Sequence, residues 1–196
     1  MRWLFAALFA TLFVGDTTSA RAFTISTGFS PACHEVISAQ AFGRLLAEVR
    51  RPTRSVTVSP KWLRVAYGVA EELDIEVSSD TEAMLLLSLV VGVRSPDTGG
   101  HSAANITQLR TLHADPEAEG QYLHALRAPD DDGPEGNAAA VAGTRRSIRR
   151  TLEQAVAAHQ LPEEEQFGRA TIYVDFYGEV PVPVWWPAYY FARAAH

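Results

Sequence analysis

In Ser79-Asp80-Thr81-Glu82-Ala83-Met84-Leu85-Leu86-Leu87-Ser88-Leu89-Val90-Val91-Gly92 a helix start is followed by a run that is apolar on nearly every face. Ser79-Asp80 supplies the start, and Glu82 falls in the first turn, where a carboxylate suits the helix dipole. A helix without a polar face has to be surrounded by protein, so this segment is expected at the centre of a bundle. It is too short to cross a membrane, which takes about 20 apolar residues.

The flanks read as further helices. Ser59-Pro60 starts one over Lys61–Leu73, with a capping hydroxyl and a proline in the first turn. Ser30-Pro31 starts another that runs to about Arg50. Its apolar stripe is Ile37, Ala41, Phe42, Leu45 and Val49, and His34 lies on the same stripe, facing inward or at the edge of the core. Arg51-Pro52 ends that helix, and Thr53–Thr57 is polar and linker-like.

On the C-terminal side the apolar run gives way at Gly92 to an expected loop, Arg94-Ser95-Pro96-Asp97-Thr98-Gly99-Gly100-His101. Shorter helices near Ile106–His113 and Pro116–Arg127 follow, then an acidic turn over Asp130–Gly136 and a long helix near Asn137–His159. Ala170–Tyr177 favours a strand or a short hairpin. Val180-Pro181-Val182-Pro183-Val184 is extended, because each proline restricts its predecessor. Pro187 opens a last helix. The expected fold class is mainly α: a helical bundle with a short strand or hairpin near the C-terminus.

The N-terminus carries a different signal. Met1-Arg2 is a short positive region, Trp3–Val14 is apolar except for Thr11, and Ala20-Arg21-Ala22 is a small-residue cleavage site. Charge, apolar core and cleavage site in that order define a secretory signal peptide. Residues 1–22 are therefore expected to be removed, leaving 23–196 as a single mainly helical domain in the periplasm or outside the cell. Removal takes two arginines and one aspartate and moves the net charge from −6 to −7. An acidic chain of this kind is unsuited to broad nucleic-acid binding through phosphates. It can still hold a small phosphoester through bound cations, which invert the local charge. The single cysteine, Cys33, cannot form a disulfide within the chain. It reads as a small buried hydrophobe, a zinc ligand or one half of an intermolecular bridge.

Four of the six histidines have acids close by in sequence. His34 precedes Glu35, Asp97 lies four residues before His101, His113 is followed by Asp115, and His124 sits six residues before Asp130. Neutral imidazoles and carboxylates are the usual ligands of catalytic zinc, which keeps an open position. His34-Glu35 is not the metalloprotease motif, because position 38 is serine. His101 equally suits a solvated loop, and His113 and His124 equally suit ordinary core or surface positions. His159 ends a helix and complements its dipole. Asp130-Asp131-Asp132-Gly133 lacks the spacing of a calcium loop and reads better as a solvated acidic turn. No glycine-rich phosphate loop and no serine-nucleophile elbow occur.

The export signal, the helical layout, His34 at the start of the first mature helix, Asp97 after a very apolar helix and Ala192-Arg193-Ala194-Ala195-His196 together form a pattern. It resembles the secreted zinc-dependent phospholipase C and single-strand nuclease fold family over about half of the chain. The resemblance implies zinc as cofactor and hydrolysis of a phosphodiester by water activated at zinc. It implies His34, Asp97 and His196 as metal ligands, with His101, His113 and His124 as further candidates that have no matched position. Asp97 would be a ligand or the catalytic base, and Glu35 would help to orient an imidazole. The substrate would be a small phosphoester or a phospholipid head group, with peripheral membrane contact. The family has a metal-binding tryptophan at its mature N-terminus, where this chain has Phe23. It also supplies ligands beyond the position of His196, so this sequence reads as truncated there or as a relative that has lost the site.

A second class stands beside this one. Trp185-Trp186-Pro187, Tyr189, Tyr190 and Phe191 have the aromatic density of an interface. They suit a non-catalytic helical envelope protein that binds a lipid or a protein partner, or rings that cap the core. Metal content separates the two classes.

Overall fold

The structure, a computed structural model, describes residues 33–48, 56–99, 107, 119–124, 133–174 and 178–196. The expected signal peptide, the linker at 53–55, the Asp130–Asp132 run, His101 and His113 lie outside the described residues, as does the side chain of Cys33. The described elements are α1 (Cys33–Glu48), α2 (Pro60–Glu72), α3 (Asp80–Thr98), α4 (Glu119–Leu123), α5 (Gly133–Gln160), a 3-10 turn (Glu163–Glu165), β1 (Phe167–Val174), β2 (Gly178–Trp185) and α6 (Trp186–Ala195). The fold is mainly α, with a two-stranded antiparallel hairpin near the C-terminus.

α3 is the central helix. Ala83, Met84, Leu86 and Leu87 are at most 1% exposed. Each large side chain buried this way contributes about 2 kcal/mol. Its start is a capping box with the carboxylate shifted by one residue: Ser79 Oγ accepts the Glu82 N–H at 3.2 Å, and Glu82 Oε2 accepts the Ser78 N–H at 2.6 Å. α1 and α2 pack on one side of it, through Ala39, Phe42, Leu46 and Ala70 against Leu86. α2 ends in a Schellman motif. Asp74, at φ 56°, takes the left-handed position, and the Ile75 N–H donates to the Ala70 carbonyl at 2.9 Å.

Two expectations change here. The inward face of α1 is Glu35, Ala39, Phe42 and Leu46, whereas Ile37 and Leu45 are more than half exposed. Both sets recur at helical spacing. Glu35 faces Arg94 of α3 across 3.8 Å, an ion pair that favours the first set. The second change is that α3 does not stop at Gly92. It continues to Thr98, and Gly99 caps it at φ 56° with its N–H on the Ser95 carbonyl at 2.8 Å. Gly92 has another role. A Cβ there would lie 2.3 Å from the Tyr189 carbonyl oxygen, so the glycine admits the backbone of α6. Asp97 therefore sits in the last turn of a helix and not in a loop.

The long helix also starts earlier than the expected Asn137. α5 begins at Gly133, with Pro134 in its first turn, where a missing N–H costs nothing.

The hairpin runs in register from Phe167↔Trp185 to Val174↔Gly178. Strand begins at Phe167, earlier than the expected Ala170, and the extended proline segment forms its partner. A two-stranded ribbon has two edges, so Pro181 and Pro183 are tolerated. Alternating with them, Val182 and Val184 point into the core at 1% and 0% exposure. Ser88 locks the hairpin onto α3, since its Oγ accepts the Trp185 N–H at 2.9 Å and donates to the Met84 carbonyl at 2.7 Å. Gln166 donates to the carbonyls of His159 and Leu161 and accepts from Trp185 Nε1 at 3.0 Å, which joins the end of α5 to the hairpin.

α6 lies between α3 and α5. Tyr189 is buried, with Trp186 and Tyr190 packed on the same core and in ring contact with it and with each other. Phe191 of this segment is exposed. No helix among the described residues is long and apolar enough to cross a membrane.

Candidate metal centre

The extension of α3 past Gly92 to Thr98 carries Asp97 to a point where three other elements end or begin. His34 is the second residue of α1, His124 follows the last residue of α4, and His196 caps α6 with its N–H on the Ala192 carbonyl at 3.2 Å. Helix termini suit such a cluster because side chains from separate elements can meet there without crossing the core.

Asp97 is the hub. Its Oδ2 is 3.5 Å from His34 Nδ1, and its Oδ1 is 3.0 Å from His124 Nε2 and 3.5 Å from His196 Nε2. The His196 ring meets His34 and His124 edge-on, with centroids 4.6 and 5.2 Å apart. The side chain of His34 is 47% exposed and that of His196 only 2%, so the cluster opens to solvent on the α1 side and is closed beneath α6.

The protonation states follow from the surroundings. Burial alone would raise the Asp97 pKa, but the His124 hydrogen bond and the His196, His124 and His34 charges act against it and win. The carboxyl is held below its ordinary value and is ionised at neutral pH. An ionised carboxylate only accepts, so His124 donates through its Nε2–H. For His196, burial pushes the pKa down. Asp97 opposes this, His34 and His124 reinforce it, and the Val93 carbonyl opposes it. The net direction is down, which keeps the imidazole neutral at neutral pH.

An ionised carboxylate and neutral imidazoles are the states in which these groups bind metal. His34, Asp97 and His196 each offer a ligand atom, and the three atoms lie within 4.8 Å of one another. Ligands of one tetrahedral zinc, with bonds near 2.0–2.1 Å, stand about 3–4 Å apart. The two 3.5 Å separations, Oδ2 to His34 and Oδ1 to His196, one from each carboxylate oxygen, are in that range. The donor set therefore fits a metal ion. Three protein ligands would leave a fourth position open, and His124, committed to Asp97, would orient the carboxylate from behind.

Of the residues singled out in the sequence, His34, Asp97, His124 and His196 come together. His159 is an exposed residue in the last turn of α5. Arg94 had no role in the sequence reading. It pairs with the buried Glu35, one residue from His34 and three from Asp97, and so ties the two ligand-bearing helices together. Its position on the face of Asp97 becomes legible only once α3 is known to pass Gly92. No protein-family model matches this chain, and no curated protein and no solved structure matches it.

Proposed function

We propose that His34, Asp97 and His196 hold zinc and that the protein is an exported zinc-dependent phosphodiester hydrolase of the phospholipase C kind. The convergence of two histidines and a carboxylate, from three helix termini spread over residues 34 to 196, supports this most. Lysine is not among these groups, and the metal would carry the positive charge that a phosphoester needs. Zinc, when bound, supplies Lewis acidity toward a phosphoryl oxygen and activates water near neutral pH. The chain supplies the rest. Asp97 serves as ligand or as the base that orients water, His124 keeps its Oδ1 fixed, and the Glu35–Arg94 pair holds α1 against α3. The exposed side of His34 is where a small phosphoester or a phospholipid head group would approach, with the protein in peripheral contact with a membrane.

The test is metal content followed by activity. Protein purified after export should begin at Phe23 and carry zinc by elemental analysis. His34→Ala and Asp97→Asn should each lower the zinc content at least about tenfold, as expected when a ligand is lost. Hydrolysis of a phosphodiester should stop on chelation and return with zinc. Protein that neither carries nor takes up zinc would end this reading and leave the helical envelope protein with its exposed Phe191 as the account to pursue.

A further inference from the structure

On the far side of His124 and His196 from Asp97 there is a cavity of about 210 Å³ between α4, α5 and α6. Its walls include Tyr122, His124, Thr144, Ser147, Arg193 and His196. Four buried atoms among these residues, Thr144 Oγ1, Ser147 Oγ, Arg193 Nε and His196 Nδ1, have no hydrogen-bond partner. Buried polar atoms are nearly always paired, so four orphans around one cavity require an explanation. α5 brings Thr144 and Ser147 to the same face by their i, i+3 spacing. The Tyr122 ring lies against Gly143, where a Cβ would be 2.4 Å from it, and so closes the cavity on the α4 side.

The chemistry of the walls selects the occupant. Arg193 has only donors and a permanent positive charge, and the two hydroxyls can donate. No carboxylate lines the cavity among the described residues. On the order of seven waters fit this volume, at about 30 Å³ each. Water can satisfy the donors but leaves the partly buried guanidinium charge without a counter-ion. An oxyanion satisfies both, and the planar guanidinium fork suits a phosphoryl group. We propose that this cavity is a binding site for a phosphoryl group, held by Arg193, Ser147 and Thr144. The site goes beyond the metal reading because its donors are the chain's own and need no bound metal.

Calorimetric titration of the full chain with inorganic phosphate, once with zinc and once in chelator, tests the proposal. Saturable one-to-one binding is expected in both conditions. Arg193→Met should weaken it at least about tenfold, the loss expected for one charge-assisted hydrogen bond. Arg193→Lys should fall between the two, since it keeps the charge and loses the fork. The double variant Thr144→Val/Ser147→Ala decides the matter if Arg193→Met does not fold. Glycerol 3-phosphate, titrated in parallel, separates an ester's phosphoryl group from the free ion: equal affinity assigns the site to esters, and binding of phosphate alone assigns it to the ion. Phosphate binding that vanishes in chelator, or that neither variant weakens, overturns the proposal. Zinc content is measured separately, so failure of this site and failure of the metal site are told apart.

Discussion

The two ends of α3 are held by opposite means. From Ala83 to Leu87 the helix is fixed by side chains with almost no exposed surface, packed against α1, α2 and the hairpin. From Arg94 to Asp97 it is fixed by charge: Arg94 on Glu35, and Asp97 on three imidazoles. Apolar packing is non-directional and tolerates small shifts. A hydrogen-bonded ionised cluster demands particular atoms at particular distances. One rigid helix couples the two, so the packed end sets where the charged end can act. The charged end, in turn, contributes little to stability, because the desolvation of its members offsets most of their attraction.

The largest effect should follow from attacking the packed end. Leu86→Asp places a carboxylate with no partner at a fully buried position and should cost at least about 3 kcal/mol. A denaturant melt measures it, and a midpoint close to wild type would show that α3 is not the core. Gly92→Ala tests the coupling between the two ends. Alanine gains about 1 kcal/mol in helix propensity over glycine. That gain is outweighed by a Cβ 2.3 Å from the Tyr189 carbonyl, a backbone atom that no rotamer change can move aside. A net loss of about 1–3 kcal/mol is expected, together with weaker zinc binding as α6 and His196 are pushed away. A Gly92→Ala protein of wild-type stability and zinc affinity would break the link between packing and site.

The smallest effect belongs to the charged end alone and appears as a pH dependence of the metal-free protein. His196 has a folded pKa below its ordinary 6.5, so the unfolded state binds more protons as the pH drops. Stability from this group is present above about pH 6.5 and is lost as the pH falls through the lower folded value. Asp97, depressed below 3.8, adds a second loss at more acid pH by the same sign. Each group contributes a slope of at most about 1.4 kcal/mol per pH unit. His196→Gln should flatten the melts as the pH falls below about 6.5, and Asp97→Asn those below about pH 4. An unchanged slope in His196→Gln would mean that the imidazole is not buried in its neutral form.

Most of the helical layout was legible because it is local. Ser79 with Glu82, Ser59-Pro60 and Pro187 mark starts that depend on neighbours a few residues away. The errors fall where a distant partner overrode the local signal. Gly92 resembles a helix end, yet it answers to the backbone of Tyr189 nearly a hundred residues later. Ile37 and Leu45 look like core, yet α1 turned to bury Glu35 against Arg94. In the candidate site, His34 and His124 stood out as histidines with acids close by, and His34, Asp97 and His196 as the ligands that the family resemblance implies, while Thr144 and Ser147 carried no signal, since two hydroxyls are ordinary helix residues.

The sequence by itself determined the class of the fold and the inventory of chemical groups. Periodicity, capping and side-chain type are properties of short segments, and they act before any tertiary contact forms. Only the tertiary structure decided which of those groups meet. Asp97 reaches His34, His124 and His196 because α3 runs on past its glycine to Thr98, and because three other helix termini are packed around its end. The physical reason is range: backbone propensity is spent within a few residues, whereas a site made from residues 34, 97, 124 and 196 depends on the packing of whole helices against one another.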